Sequence, residues 1–200
     1  MAQNTEEPYS TRNKILKTAL GLFSQKGYLG TTTREIAKAS EVAEVTIFRY
    51  FPSKEMLFEE VINTYSFLPT LKGILPEVKK MSYENALLTI ATRFLETLAI
   101  RKDLIRIMHS EMQRYPEKIQ KIYHVFIDKT LRTLASYFSH LQKKEILREF
   151  DVDFAAQAFL GMLFSYFNVE EFLMRKKYKT DNADLIIKEF VAIFMKGTLK

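Results

Sequence analysis

The chain predicts an all-α protein, and three observations carry that reading. Apolar residues recur at spacings of three and four throughout, with no convincing alternation of the kind a half-buried strand shows. Helix-starting and helix-stopping residues bracket the periodic runs. Between Thr31 and Leu57, two short helical patterns are separated by only a few residues. That is the layout of a helix-turn-helix, whose second helix enters the DNA major groove. The expected architecture is an N-terminal three-helix helix-turn-helix domain followed by a larger C-terminal helical domain, about nine helices in all.

Residues 1–9, polar and acidic, read as a flexible tail and not as a signal peptide. The first helix starts near Ser10 or Thr11, carries Ile15, Leu16, Ala19, Leu20, Leu22 and Phe23 on its apolar stripe, and stops at Gly27. Thr32 followed three residues later by Glu35 is a capping box that starts the second helix, with Ile36, Ala37 and Ala39 inward. Ser40 to Val42 make the turn, and Ala43 to Tyr50 form the third helix, with Ile47 and Phe51 packed inward. Pro52-Ser53 breaks the chain, and Ser53 caps a fourth helix through Met56, Leu57, Val61 and Ile62 that ends before Pro69. These signals divide the chain into a head at residues 10–52 and a body at 53–200, with a helix over 53–68 linking the two.

Pro69, Gly73 and Pro76 mark an irregular connection. Ser82 caps a helix through Leu87, Ile90, Phe94 and Leu98, and a further helix covers about Lys102 to Arg114. Pro116 suits a first helical turn and opens a long helix through Ile119, Tyr123, Phe126, Leu134 and Phe138. After a connection over 143–150, Asp151 or Asp153 caps a helix to about Met174, and a last one runs from Asp181 towards Gly197.

Composition narrows the function classes. Hydrophobic residues make up 47% of the 200 and charged residues 27%, as in an ordinary globular chain. With no cysteine, disulfides, thiolate metal sites and cysteine nucleophiles are excluded, and the absence fits a reducing cytoplasm. The most apolar stretch, Phe154 to Val169, is too short to span a bilayer and is interrupted by Gln157, Ser165 and Asn168, so no membrane partner is implied. The six glycines are scattered, and no phosphate loop, nucleophile elbow or paired catalytic carboxylates can be placed. Neither an enzyme activity nor a cofactor is therefore expected. His109, His124 and His140 lack companions at metal-ligand spacing, which argues against a metal site. Net charge is +6, and residues 10–54 carry eight basic residues against three acidic ones, a balance that suits a polyanionic partner.

Ile15-Leu16, Ala19, Leu22-Phe23, Gly27-Tyr28, Thr31-Thr32, Ile36-Ala37, Val42, Thr46-Ile47-Phe48, Tyr50-Phe51 and Ser53-Lys54-Glu55-Met56-Leu57 stand in a specific order and spacing. In them the first quarter of the chain resembles the tetracycline-repressor (TetR) family of transcriptional regulators. The resemblance implies a three-helix DNA-binding domain and a larger helical domain that binds a small ligand and dimerises through its last two long helices. It implies double-stranded DNA, a second copy of the chain and a small-molecule effector as partners. Most members are repressors released by ligand. The sequence departs from the pattern at four positions: Glu41 and Val45 stand where glycine is common, Ala43 where Ser or Thr is common, and Phe48 where Tyr is common. Glu41 must bear a left-handed conformation or take another turn geometry.

The resemblance places DNA contacts at Thr31, Thr32, Thr33, Arg34, Ala43, Glu44, Val45, Thr46, Phe48, Arg49, Tyr50 and Lys54. Thr31 and Thr32 sit at a helix start, where free N–H groups favour a phosphate, although Thr32 also serves as a cap. Tyr50 and Lys54 are phosphate candidates, and Arg34 and Arg49 suit phosphate or guanine. Glu44 can accept from cytosine N4, and Val45 can touch a thymine methyl. A two-fold dimer would place two recognition helices about 34–36 Å apart and read a near-palindrome. The alternative is a helical small-molecule-binding or scaffolding protein with a weakened DNA-binding face, a reading that Glu41, Glu44 and Val45 support.

Two C-terminal helices are apolar nearly all round, where a surface helix needs only one apolar stripe. One side of each is expected to meet another subunit, with Phe164, Phe167, Phe190 and Phe194 as interface candidates. Phe94, Met108, His109, Met112, Tyr123, Phe126 and Phe159 are candidates for lining an effector pocket, and such a lining favours an apolar or aromatic ligand.

Overall fold

The computed structural model describes residues 8–173 and 183–200. Among them are ten α-helices: α1 (Pro8–Lys26), α2 (Thr33–Ala39), α3 (Glu44–Tyr50), α4 (Lys54–Tyr65), α5 (Phe67–Val78), α6 (Tyr83–Ile100), α7 (Lys102–Glu111), α8 (Glu117–Lys143), α9 (Val152–Asn168) and α10 (Ala183–Thr198). A short 3₁₀ turn, Met112–Arg114, follows α7, and a π turn, Val169–Leu173, follows α9. The only extended pairing among the described residues is a single antiparallel bridge between Leu147 and Leu199. None of the described helices is long and apolar enough to cross a membrane.

Local signals account for most helix ends. Ser82 accepts a hydrogen bond from the Asn85 N–H at 3.3 Å, and Asp151 accepts from the N–H groups of Asp153 and Phe154 at 2.9 and 3.0 Å. Several boundaries differ from the sequence reading. The first helix begins at Pro8, where a first-turn proline loses no helical hydrogen bond, and not at Ser10 or Thr11. The tail assigned to residues 1–9 lies, for residues 1–7, outside the described residues, as do Met174 and Asp181. The fourth helix stops at Tyr65 and not at residue 68. The segment read as an irregular connection is helix α5. Its first-turn Pro69 breaks no helical bond, Pro76 removes one N–H donor near the helix end, and Phe67, Leu68, Leu71 and Val78 bury one face.

The chain forms two compact units. Of the described residues, 8–65 and 103–124 make the first, and 66–102 with 125–173 and 183–200 the second. This partition does not follow the division at residue 52, because α4 packs along α1 and buries Leu57, Phe58, Val61 and Ile62 in the first unit.

In the first unit an aromatic cluster forms the core. The Phe58 ring lies 4.9 Å from Phe23, 5.1 Å from Tyr28 and 5.7 Å from Tyr123, all edge to face. The α1–α2 corner depends on two glycines. Gly27 has φ +71°, and a Cβ on Gly30 would sit 2.3 Å from the Lys26 carbonyl oxygen. Gly27 also lies against the Glu111 carboxylate, and the Tyr28 N–H donates to the Tyr115 hydroxyl at 3.4 Å.

In the second unit α6 packs against α5, α9 and α10. Phe194 lies 4.9 Å from Phe159 and 5.6 Å from Phe138 at the centre. The end of α10 is tied down by Tyr83 and Thr198, whose hydroxyls are 3.0 Å apart, and by Arg148 Nε donating to the Gly197 carbonyl at 2.6 Å.

Candidate nucleic-acid interface

Helix α2 is started by a closed capping box. The Thr32 hydroxyl accepts from the Glu35 N–H at 3.2 Å, and the Glu35 carboxylate accepts from the Thr32 N–H at 2.9 Å. The Lys26 ammonium reaches the same carboxylate at 2.7 Å. These bonds, Lys26 first, pull the Glu35 carboxyl down to about 2. A depressed carboxyl stabilises the fold above its unfolded value, 4.5, and that contribution is lost as the pH falls towards about 2. Unfolding midpoints measured between about pH 5 and pH 2 should therefore fall less steeply in Glu35→Gln than in the parent.

The turn uses the first of the two geometries open to Glu41. Its φ is +55°, left-handed, and Lys14 on α1 holds its carboxylate at 2.6 Å. The Val42 N–H donates to the Ala37 carbonyl at 3.0 Å and closes the turn. Helix α3 then begins at Glu44, and its N-cap residue, Ala43, offers no side-chain cap.

Within α3 only Ile47 is buried, and Phe51, just past its end, is buried as well. Val45 is 74% exposed and Phe48 44% exposed. Arg49 is exposed, with its guanidinium 5.3 Å from the Tyr50 ring centroid. Glu44 is half-buried and accepts from the Thr33 hydroxyl at 2.7 Å, a tie between α2 and α3. At the start of α4 the Ser53 hydroxyl accepts from the Met56 N–H at 3.2 Å. Lys54 is half-buried with its ammonium 4.2 Å from the Tyr28 ring centroid, and burial lowers its pKa. The Tyr28 hydroxyl donates to Glu55 at 2.9 Å.

Most of the DNA-contact candidates thus share one stretch of the first unit, with Thr32, Arg34, Ala43, Val45, Phe48 and Arg49 exposed and Thr33, Glu44, Thr46, Tyr50 and Lys54 half-buried. Thr31 requires correction. It is 0% exposed, and its hydroxyl donates to the Gly27 carbonyl at 2.8 Å and to that of Leu22 at 3.2 Å, so it staples the corner and has no hydroxyl to offer a phosphate. Thr31→Val should lower stability by about 1–2 kcal/mol in urea unfolding and leave the duplex affinity of the folded protein unchanged.

The effector-pocket candidates are not gathered in one unit. Met108, His109, Met112 and Tyr123 belong to the first, and Phe94, Phe126 and Phe159 to the second. Phe94 packs on Phe67 at 4.9 Å and Phe159 on Phe194, so these two are core rings with different partners. Tyr123 is buried with its hydroxyl unbonded, and burial raises its pKa. Tyr115, which stacks on it at 6.5 Å, is pushed up to about 12 by burial and the Glu111 carboxylate. Of the interface candidates, Phe167 and Phe194 are buried within their own chain and are corrected to core, while Phe164 and Phe190 are half-buried. The exposed apolar side chains of α9 and α10 are others: Phe154, 71% exposed, Ile193, 59%, and Leu185. Nothing in the sequence distinguished them, because both sides of each helix are apolar.

Residues 15–61 match the model of bacterial regulatory proteins of the tetR family, and residues 75–197 match that of the C-terminal domain of AefR-like transcriptional repressors. The chain belongs to the TetR family. It is 28% identical over 187 residues to YvkB, an HTH-type transcriptional regulator of Bacillus subtilis strain 168, across 94% of this chain and 96% of YvkB. A solved regulator from Mesorhizobium loti MAFF303099, assigned to the TetR family, superposes with a TM-score of 0.79 at 23% identity, covering 96% of this chain and 98% of that one. The flavonoid-responsive regulator FrrA superposes with a TM-score of 0.72 at 27% identity over 96% of this chain and 98% of its own. This TetR-family protein is accordingly a DNA-binding transcriptional regulator.

Proposed function

We propose that this TetR-family regulator is a repressor that binds a near-palindromic operator as a homodimer and is released by a small apolar or aromatic effector. The observation that carries the operator reading is the exposure of α3: it buries Ile47 alone and turns Val45, Phe48 and Arg49 to solvent. Thr32, Arg34 and Arg49 are the groups we assign to phosphate or base edges, with Tyr50 and Lys54 at the margin. Exposed Phe154 and Ile193 support dimerisation. They help line an open groove of about 420 Å³ with Ala155, Ala158 and Met162, an apolar face that a second copy would cover.

Sixteen phenylalanines and eight methionines support the effector class, and the flavonoid-responsive relative shows one aromatic case. The unbonded Tyr123 hydroxyl is the polar atom we assign to orienting such a ligand. A ligand that prefers the conformation unable to span two grooves weakens DNA binding, and DNA weakens ligand binding by the same factor.

Duplexes enriched from a random pool, titrated at several salt concentrations, test the reading. A repressor of this kind gives a site preference and a steep salt slope, and added aromatic effector lowers the affinity. A shallow slope without preference contradicts operator binding, and an affinity indifferent to every aromatic compound tried contradicts release by such an effector.

A further inference from the structure

We propose that the half-site is read through thymine methyl groups, with Val45 and Phe48 as the specificity-determining residues and Glu44 withheld from base contact. This rests on the operator-binding reading of α3 given above.

The three residues that α3 leaves most open are Val45, Phe48 and Arg49, and two of them are apolar. Single exposed apolar residues are common on any protein. Here, however, two of them stand at i and i+3 on the helix that enters the major groove. Their Cβ atoms are therefore neighbours, about 5–6 Å apart. The only apolar feature on the base edges of that groove is the thymine C5 methyl. Base pairs repeat about every 3.4 Å, so the pair spans one or two steps and fits thymines that are adjacent or separated by one.

Glu44 and Arg49 each rest on a neighbour, and Arg49 keeps its N–H donors for the role given above. Glu44 would accept from cytosine N4, but its Oε1 is held by the Thr33 hydroxyl at 2.7 Å. The Arg49 guanidinium lies against the Tyr50 ring. Thr46 is half-buried beside the fully buried Ile47. Besides the Arg49 donors, what α3 leaves open is a methyl-bearing branch and a ring edge. Both reward hydrocarbon and neither forms a hydrogen bond with cytosine or guanine.

The test uses the full-length protein and duplexes enriched from a random pool, with deoxyuridine replacing each enriched thymine in turn. This removes one methyl and no hydrogen bond. Affinity should fall about fourfold at each of two close positions per half-site. The same replacements should cost nothing in the Val45→Ala/Phe48→Ala protein, whose unfolding midpoint stays with the parent because both side chains are on the surface. Enriched half-sites without close thymines, or a deoxyuridine series of unchanged affinity in a protein that still prefers its site, would overturn the inference and leave operator binding standing. A protein with no site preference would overturn both.

Discussion

Phe154→Asp combined with Ile193→Asp is expected to give a folded monomer whose operator affinity falls by about 10³-fold or more, towards the non-specific level. The two side chains are 71% and 59% exposed on α9 and α10, so neither supports the core of its own chain. The centre of that core, Phe159 against Phe194, is untouched. A charge on each of two facing copies would instead be buried unpaired in an apolar interface, an arrangement that costs several kcal/mol per ion. One recognition helix then reads one half-site, and the contacts of the second are lost. Sedimentation or light scattering gives the mass, and anisotropy with the enriched duplex gives the affinity. A double variant that remains dimeric, or a monomer that keeps full affinity, contradicts the proposed interface.

Phe58→Ala should be the most damaging single truncation in the first unit, lowering unfolding free energy by about 3–5 kcal/mol. The ring is fully buried and meets Phe23 from α1, Tyr28 from the α1–α2 corner and Tyr123 from the start of α8. Removing it opens a cavity where four aromatic rings converge, which the edge-to-face geometry leaves little freedom to fill. In a chain of this length the melting temperature should fall by roughly 10 °C. The equivalent truncation of exposed Phe48 should change it by no more than about 2 °C, because surface substitutions usually stay within about 0.5 kcal/mol. Thermal unfolding of both variants, side by side, separates the buried ring from the surface one.

What the sequence disclosed was local. Thr32 and Glu35 are three residues apart and close a capping box, and Ser53, Ser82 and Asp151 cap the helices that follow them. Gly27 ends α1 because the chain must turn left-handed there. The helix-turn-helix spacing was legible for the same reason. What escaped depends on which distant residue arrives opposite. Thr31 sits at a helix start but is folded back onto the Leu22 and Gly27 carbonyls. Glu44 meets Thr33, and Glu41 meets Lys14, through pairings no periodicity encodes. Helix α5 was hidden because Pro69, Gly73 and Pro76 look like breakers, yet Pro69 falls in the first turn and Pro76 costs one bond near the end of a helix held by its buried face. The two-sided apolarity of α9 and α10 was visible, but periodicity cannot say which side faces inward, and Phe167 and Phe194 proved to be core.

The central claim is that two copies of an exposed α3 read one operator together. Hydroxyl-radical footprinting of the full-length protein on an enriched duplex tests it most directly. Two protected patches on one face of the duplex, centred about 10–10.5 base pairs or a multiple apart, are the expected result. One isolated patch at saturation, or none, would contradict it.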